Sequence, residues 1–244
     1  MRASWSWLAA CAATAALLGT AYAEVPSREE MVCPIGGQSF VYMGYAVYST
    51  YGQRLDGKPF GSTEFPLRIP VCPNGFVVYR SDLSEAEVAA LARYIETPEF
   101  AAMAERSTYY RASRLARAAG DPAALQAWLM LSASWQVDTD AARFAEYQGE
   151  FLALAEQALA QLPRTSPEWW ALHFRAANAE RQLGRFDAAS ARLSGLPMHE
   201  LASIDLGEEG DAAAWGEGFR GAVETLNGLI AARDASVEPE SLRR

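Results

Sequence analysis

Residues 32–37 read "VCPIGG" and residues 71–76 read "VCPNGF", so one Cys-Pro-x-Gly pattern is written twice in the first third of the chain. Proline fixes φ and glycine tolerates left-handed backbone, so each copy marks a tight turn. Between them, the alternation "FVYMGYAVY" (Phe40–Tyr48) predicts a strand, and "LRIPVC" with "FVVY" predicts a second pair around the Cys72 turn. The connecting "YGQRLDGKPFGSTEFP" is rich in turn formers and reads as an exposed loop. Tyr42, Tyr45, Tyr48, Tyr51, Phe60 and Phe65 crowd this region. In a small sheet without a deep core such aromatics serve as the core, and a binding face is the competing reading.

From Ser84 onward the pattern changes to helices. Ser84 and Glu87 have the spacing of a capping box for "SEAEVAALARYIE". Three later starts place a capping residue before a proline: Thr97-Pro98, Asp121-Pro122 and Ser166-Pro167. A long amphipathic helix, "ARFAEYQGEFLALAEQALAQL", is apolar at Phe144, Tyr147, Phe151, Leu154, Ala158 and Leu162. A last helix over about 211–234 closes the series despite its internal glycines. The expected class is α+β, mainly α, with a small β-rich module over 24–83, a helical domain over 84–234 and a flexible tail over 235–244.

The N-terminus indicates the compartment. Residues 1–23, "MRASWSWLAACAATAALLGTAYA", combine Arg2, an apolar run through Leu18 and the small-x-small ending Ala21-Tyr22-Ala23. This is the form of a secretory signal peptide, with cleavage near Ala23, before Glu24, leaving a periplasmic or secreted protein. Leu8-Ala9-Ala10-Cys11 resembles a lipobox, so a lipid anchor at Cys11 is the minor alternative, though it sits early for one. No later stretch is apolar enough to predict a membrane span. The net charge is −9, and removing residues 1–23 takes away Arg2 alone among side-chain charges, giving −10. An acidic chain repels phosphate backbones, which argues against nucleic-acid partners.

Without Cys11, two cysteines remain, Cys33 and Cys72. In an oxidising compartment an isolated pair is most economically a disulfide. Zinc needs about four ligands, whereas Gly36 and Gly75 have no side chain to coordinate anything. His173 and His199 have no second His or Cys at ligand spacing. No metal and no cofactor is therefore expected.

Residues 31–83 resemble an uncharacterised bacterial family, a domain of unknown function in which two Cys-Pro-x-Cys-Gly zinc knuckles precede TPR-like helices. The matching segments are "VCPIGGQSF" and "DGKPFGSTEFPLRIPVCPNGFVVY". The family's zinc ligands fall at positions 33, 36, 72 and 75; this chain keeps Cys33 and Cys72 and has Gly36 and Gly75 at the others. The resemblance implies that the two remaining sulfurs are neighbours and that a Cys33–Cys72 disulfide replaces an ancestral zinc site. Closing a loop of about 40 residues is worth ~4 kcal/mol in the chain-entropy treatment. A redox-active pair is the alternative, although thiol–disulfide enzymes generally carry both cysteines on one turn.

Trp128, Leu131, Ser132 and Trp135 have the spacing of a first TPR helix, and "LGRFDAASARL" (Leu183–Leu193) resembles a TPR turn and second helix. Such hairpins must stack, and stacked hairpins commonly bind peptide or protein segments. Trp169 and Trp170 stand out because adjacent helix positions point about 100° apart, so one of them is a possible interaction surface. No G-x-S-x-G elbow, HExxH, P-loop or dinucleotide fingerprint is present. "MHELAS" (Met198–Ser203) has no second histidine, Asp138 and Asp140 read as cap and turn residues, and Glu146 and Glu150 read as a solvated helix face. The expected function is that of an exported, non-enzymatic interaction or scaffold protein with a protein or peptide partner. An envelope thiol-redox protein or another enzyme is the alternative.

Overall fold

The computed structural model describes residues 24–207 and 211–242; the expected signal segment, including Cys11, lies outside them. Among the described residues about 52% are helical and 12% lie in strands, in two small sheets, so the fold is mixed and helix-rich. Strands β1 (Val25–Val32) and β2 (Ser39–Val47) form an antiparallel hairpin, with Met31 opposite Phe40 and Glu29 opposite Tyr42. β2 falls where the alternation predicts it. β1, with Pro26 and the run Arg28-Glu29-Glu30, has no such signal and takes its extended form from pairing with β2.

The Cys33 turn links these two strands, and the Cys72 turn repeats its shape. In the first, Cys33 N donates to the Gln38 carbonyl (2.8 Å); in the second, Cys72 N donates to the Phe76 carbonyl (2.8 Å). Gly36 and Gly75 have φ of 85° and 86°, a left-handed backbone that residues with a Cβ rarely take. The expected strand pair around Cys72 reduces to one bridge, Val71 to Val77, since Pro70 and Pro73 have no N–H to extend a ladder.

The connecting loop departs most from expectation. Within it, β3 (Thr50–Gln53) and β4 (Pro59–Gly61) form a second hairpin whose tip, far from exposed, buries Arg54 and Asp56.

Among the described residues eight α-helices follow: α1 (Glu85–Ile95), α2 (Pro98–Ala101), α3 (Thr108–Ala119), α4 (Ala123–Trp135), α5 (Ala141–Leu159), α6 (Pro167–Gln182), α7 (Phe186–Ser194) and α8 (Ala212–Ala231). The Ser84–Glu87 capping box forms, and Thr97 and Ser166 cap the helices that begin at Pro98 and Pro167. Asp121 does not cap α4. Its carboxylate instead accepts from Tyr79 Oη (2.5 Å) and pairs with Arg80 (3.1 Å), joining the end of the β region to the helices. Glu146 and Glu150 are likewise paired across the helices, with Arg106 and Arg114.

Each helix from α3 to α8 packs on its neighbour in sequence, giving an array of consecutive hairpins. One apolar cluster runs without a break from Cys33, Ile35, Cys72, Phe76 and Val77 through Leu91, Met130 and Tyr147 to Leu172 and Ala176 of α6. The β region is thus seated on the helices and shares their core. A second cluster joins Trp169, Trp170 and Phe174 of α6 to Phe186, Leu201 and Leu226. α6 is the wall between the two clusters, which is why it is buried nearly all round. At the start of the tail, Val237 packs on the first cluster, and Arg181 Nη1 donates to the carbonyls of Asp234 (2.5 Å) and Ser236 (3.0 Å).

Candidate functional site

Cys33 and Cys72 are joined by a disulfide, their Cα atoms 5.6 Å apart. Both are enclosed, at 1% and 3% exposure. Asn74 stitches the two turns together: its Nδ2 donates to the Ile35 carbonyl (2.8 Å) and its Oδ1 accepts from Phe76 N (3.1 Å). A Cβ at Gly36 would lie 3.6 Å from Asn74 Nδ2. Positions 36 and 75 are therefore occupied by turn geometry, and among the described residues no group of three or more His, Cys, Asp or Glu is placed to hold a metal ion.

Trp169 and Trp170 do not supply an exposed interaction surface. They are 7% and 0% exposed, their rings meet edge to face at 5.4 Å, and Trp170 Nε1 donates to the Arg164 carbonyl (2.7 Å). Both are buried, although adjacent positions point about 100° apart, because α6 is covered on several sides by α5, α7 and α8.

A dense polar constellation lies where the β3–β4 tip meets the end of α4, the loop before α5, and α6. The tip is a tight turn: Arg54 N donates to the Lys58 carbonyl (2.8 Å), Gly57 N to the Arg54 carbonyl (2.9 Å) and Lys58 N to Asp56 Oδ1 (3.0 Å). Arg54 clasps the Asp56 carboxylate through Nε (3.1 Å) and Nη2 (2.6 Å), a paired fork that makes burial of both charges tolerable. Asp138, on the loop before α5, accepts from Arg54 Nη1 and Lys58 Nζ, both at 2.8 Å, and Lys58 also donates to the Trp135 carbonyl (3.2 Å). Burial lowers the Arg54 pKa, but Asp56 and Asp138 outweigh it and hold it above the ordinary value. Burial pushes the Asp138 carboxyl up, and Lys58 and Arg54 more than reverse that.

α6 faces the tip with Arg175. Its Nη1 donates to the Leu55 carbonyl, and a Cβ on Gly57 would come within 3.0 Å of its Nε, so the glycine backbone lies flat against the guanidinium. With φ at 91°, Gly57 is required twice, by conformation and by contact. Next to Arg175 along the helix stand Asn178 and Arg181, fully buried and bonded Nε to Oδ1 at 3.0 Å, and then Gln182. Gln148 of α5 links Gln182 to Ser134 of α4, at 3.3 Å on each side. Burial lowers the Arg175 pKa to about 10, with partial relief from Asp56, and lowers that of Arg181, with partial relief from Asp234 and then Asp56. Beside the tip a cleft of about 630 Å³ is lined by Arg54, Leu55, Phe60, Val237, Pro239 and Leu242.

Sequence reading missed this constellation, though it carries two local signals. "RLDGK" (Arg54–Lys58) places Asp-Gly between two short extended runs, a hairpin signature, and Arg175, Asn178 and Gln182 recur at the spacing of one helix face. Among the described residues no helix is long and apolar enough to cross a membrane. Comparison with known proteins finds no matching family model, no similar curated protein and no similar solved structure.

Proposed function

We propose that this is an exported, non-enzymatic interaction or scaffold protein that works in the periplasm or outside the cell. In this reading residues 1–23 are a cleaved signal peptide, the α3–α8 array is TPR-like, and the Cys33–Cys72 disulfide stands where an ancestral zinc-knuckle pair held its ion. The observation that carries the reading is the seating of a chain segment on the helical array. The face of α4–α6 receives the Arg54–Lys58 turn through a backbone carbonyl, a flat glycine contact and charged side chains. Stacked helical hairpins present extended surfaces suited to holding peptide segments in trans.

The thiol-redox alternative requires a nucleophile to reach a sulfur, and both cysteines are enclosed in the first apolar cluster. The disulfide is accordingly read as a staple. In-cell photocrosslinking from Phe60→p-benzoylphenylalanine, in a host that exports the protein, tests the proposal. Phe60 is 41% exposed and lines the cleft beside the tip, so a discrete adduct heavier than the chain is expected. Absence of any adduct from correctly exported protein counts against a partner at this face. Intact mass of the same preparation is expected to begin at Glu24, with no free thiol before reduction.

A further inference from the structure

We propose that the Arg175–Asn178–Arg181–Gln182 stripe of α6 presents, at Arg175, a recognition site for an acidic peptide segment, and that the β3–β4 tip engages Arg175 as an internal ligand. The proposal rests on the interaction-protein reading and names the chemistry of the segment bound.

The stripe has more donors than the residues around it supply acceptors. Arg175 Nε, Asn178 Nδ2, Arg181 Nη2 and Gln182 Nε2 are all buried without an acceptor, and Arg181 and Asn178 are wholly enclosed. Native structures satisfy nearly all such groups, so four along two turns of one helix, three of them on the Arg175 face, point to a missing acceptor. Charge tells the same story. Among the described residues neither Arg175 nor Arg181 has a carboxylate within the 4.0 Å of an ion pair. Asp234 attracts Arg181 from beyond that distance, and Asp56 attracts both, but the Asp56 oxygens are already held by Arg54 two residues away. The pKa of each guanidinium is lowered, as burial without a full counter-charge requires. An occupant that brings a main-chain carbonyl and a carboxylate not neutralised by its own arginine satisfies the stripe better than the tip does.

The tip is also built to leave. It hangs on strands of four and three residues, and β3 is exposed along its whole length. A two-stranded ribbon of that size is barely stable alone. The tip is therefore held in place by Arg175 and Asp138 more than by its own sheet.

Lys58 makes the test direct, because it is the one lysine in the sequence and its amine is engaged only while the tip is docked. The probe is a cyclised synthetic peptide copying residues 52–60, with Arg54→Ala and its lysine acetylated, so that its aspartate is unneutralised. Binding is read by fluorescence anisotropy, and docking by the rate at which an amine-reactive reagent labels Lys58 in the intact protein. Gly57→Val strains the turn and forces its backbone and the Arg175 guanidinium apart.

The expected result is at least tenfold tighter peptide binding by Gly57→Val than by the unsubstituted chain, and loss of that binding when Arg175→Gln is added. Saturating peptide is expected to raise Lys58 labelling in the unsubstituted protein. If Gly57→Val does not fold by circular dichroism, Asp56→Asn is the second variant, with the same expectation.

Equal binding by both proteins, binding indifferent to Arg175→Gln, or no binding to a folded variant overturns the proposal. So does inorganic phosphate that raises Lys58 labelling as much as the peptide, which makes this a small-anion site. A photocrosslinked partner with no peptide binding defeats this inference alone, whereas peptide binding with no adduct defeats the partner reading.

Discussion

Asn74, the variable residue of the second Cys-Pro-x-Gly turn, donates through Nδ2 to the carbonyl of Ile35, the variable residue of the first, at 2.8 Å. The two turns are thus held by a covalent bond between their first residues and a hydrogen bond between their third. Because Asn74 Oδ1 also accepts from Phe76 N, this one side chain fixes both the shape of its own turn and its distance from the other.

Asn74→Ala is expected to destabilise the protein by about 1–3 kcal/mol, the cost of leaving buried backbone groups unpaired. The disulfide remains intact in this variant, so urea unfolding under non-reducing conditions isolates the hydrogen bond. An unchanged midpoint refutes the bridging role.

Removing the covalent link through Cys33→Ser with Cys72→Ser is expected to cost ~4 kcal/mol, since the closed loop spans 39 positions. The apolar cluster around the turns remains, so a folded protein with a lower midpoint is expected, and partner adducts from position 60 persist wherever it is folded. A variant that folds normally but loses a cellular activity revives the thiol-redox alternative.

Trp170→Ala is expected to lower stability by about 3–5 kcal/mol, because a fully enclosed ring packed on Trp169 and Phe219 leaves a cavity when truncated. Thermal unfolding checks this. Weakened partner binding at unchanged stability restores Trp170 to the interaction surface.

Stability is expected to fall with acid through His173. Its ring stacks near Trp169 at 4.9 Å, and its Nε2 sits 3.0 Å from the Arg192 carbonyl. Burial lowers its pKa in the folded chain, outweighing the Arg192 carbonyl, Glu156 and Glu180, which favour the protonated ring. A folded-state value below the unfolded value of about 6.5 means that the unfolded chain takes up the proton first. The His173 contribution is therefore intact above that pH and declines as pH drops below it. Urea midpoints measured at pH 7 and pH 5 test this, and His173→Gln is expected to flatten the difference.

The sequence by itself determined the two glycine turns, the β2 strand, the α+β class and most helix starts. Each of these depends on what a residue does to its own backbone: proline and glycine at the turns, Ser84, Thr97 and Ser166 at orphan N–H groups. It also offered Cys33 and Cys72 as the expected pair once Cys11 is set aside with the expected signal segment, and the structure joins those two. What only the tertiary structure decided is how distant residues share space. β1 is a strand through its partner, Asp121 gives up a cap to Tyr79 and Arg80, and Trp169 with Trp170 vanish inside because α6 is walled on several sides. Above all, the turn-rich segment expected in solvent brings Arg54 and Asp56 into the interior, where Arg175, 120 positions away, closes on Leu55. Local preference says that Asp-Gly will turn; only the packing of α4, α5 and α6 says what the turn meets.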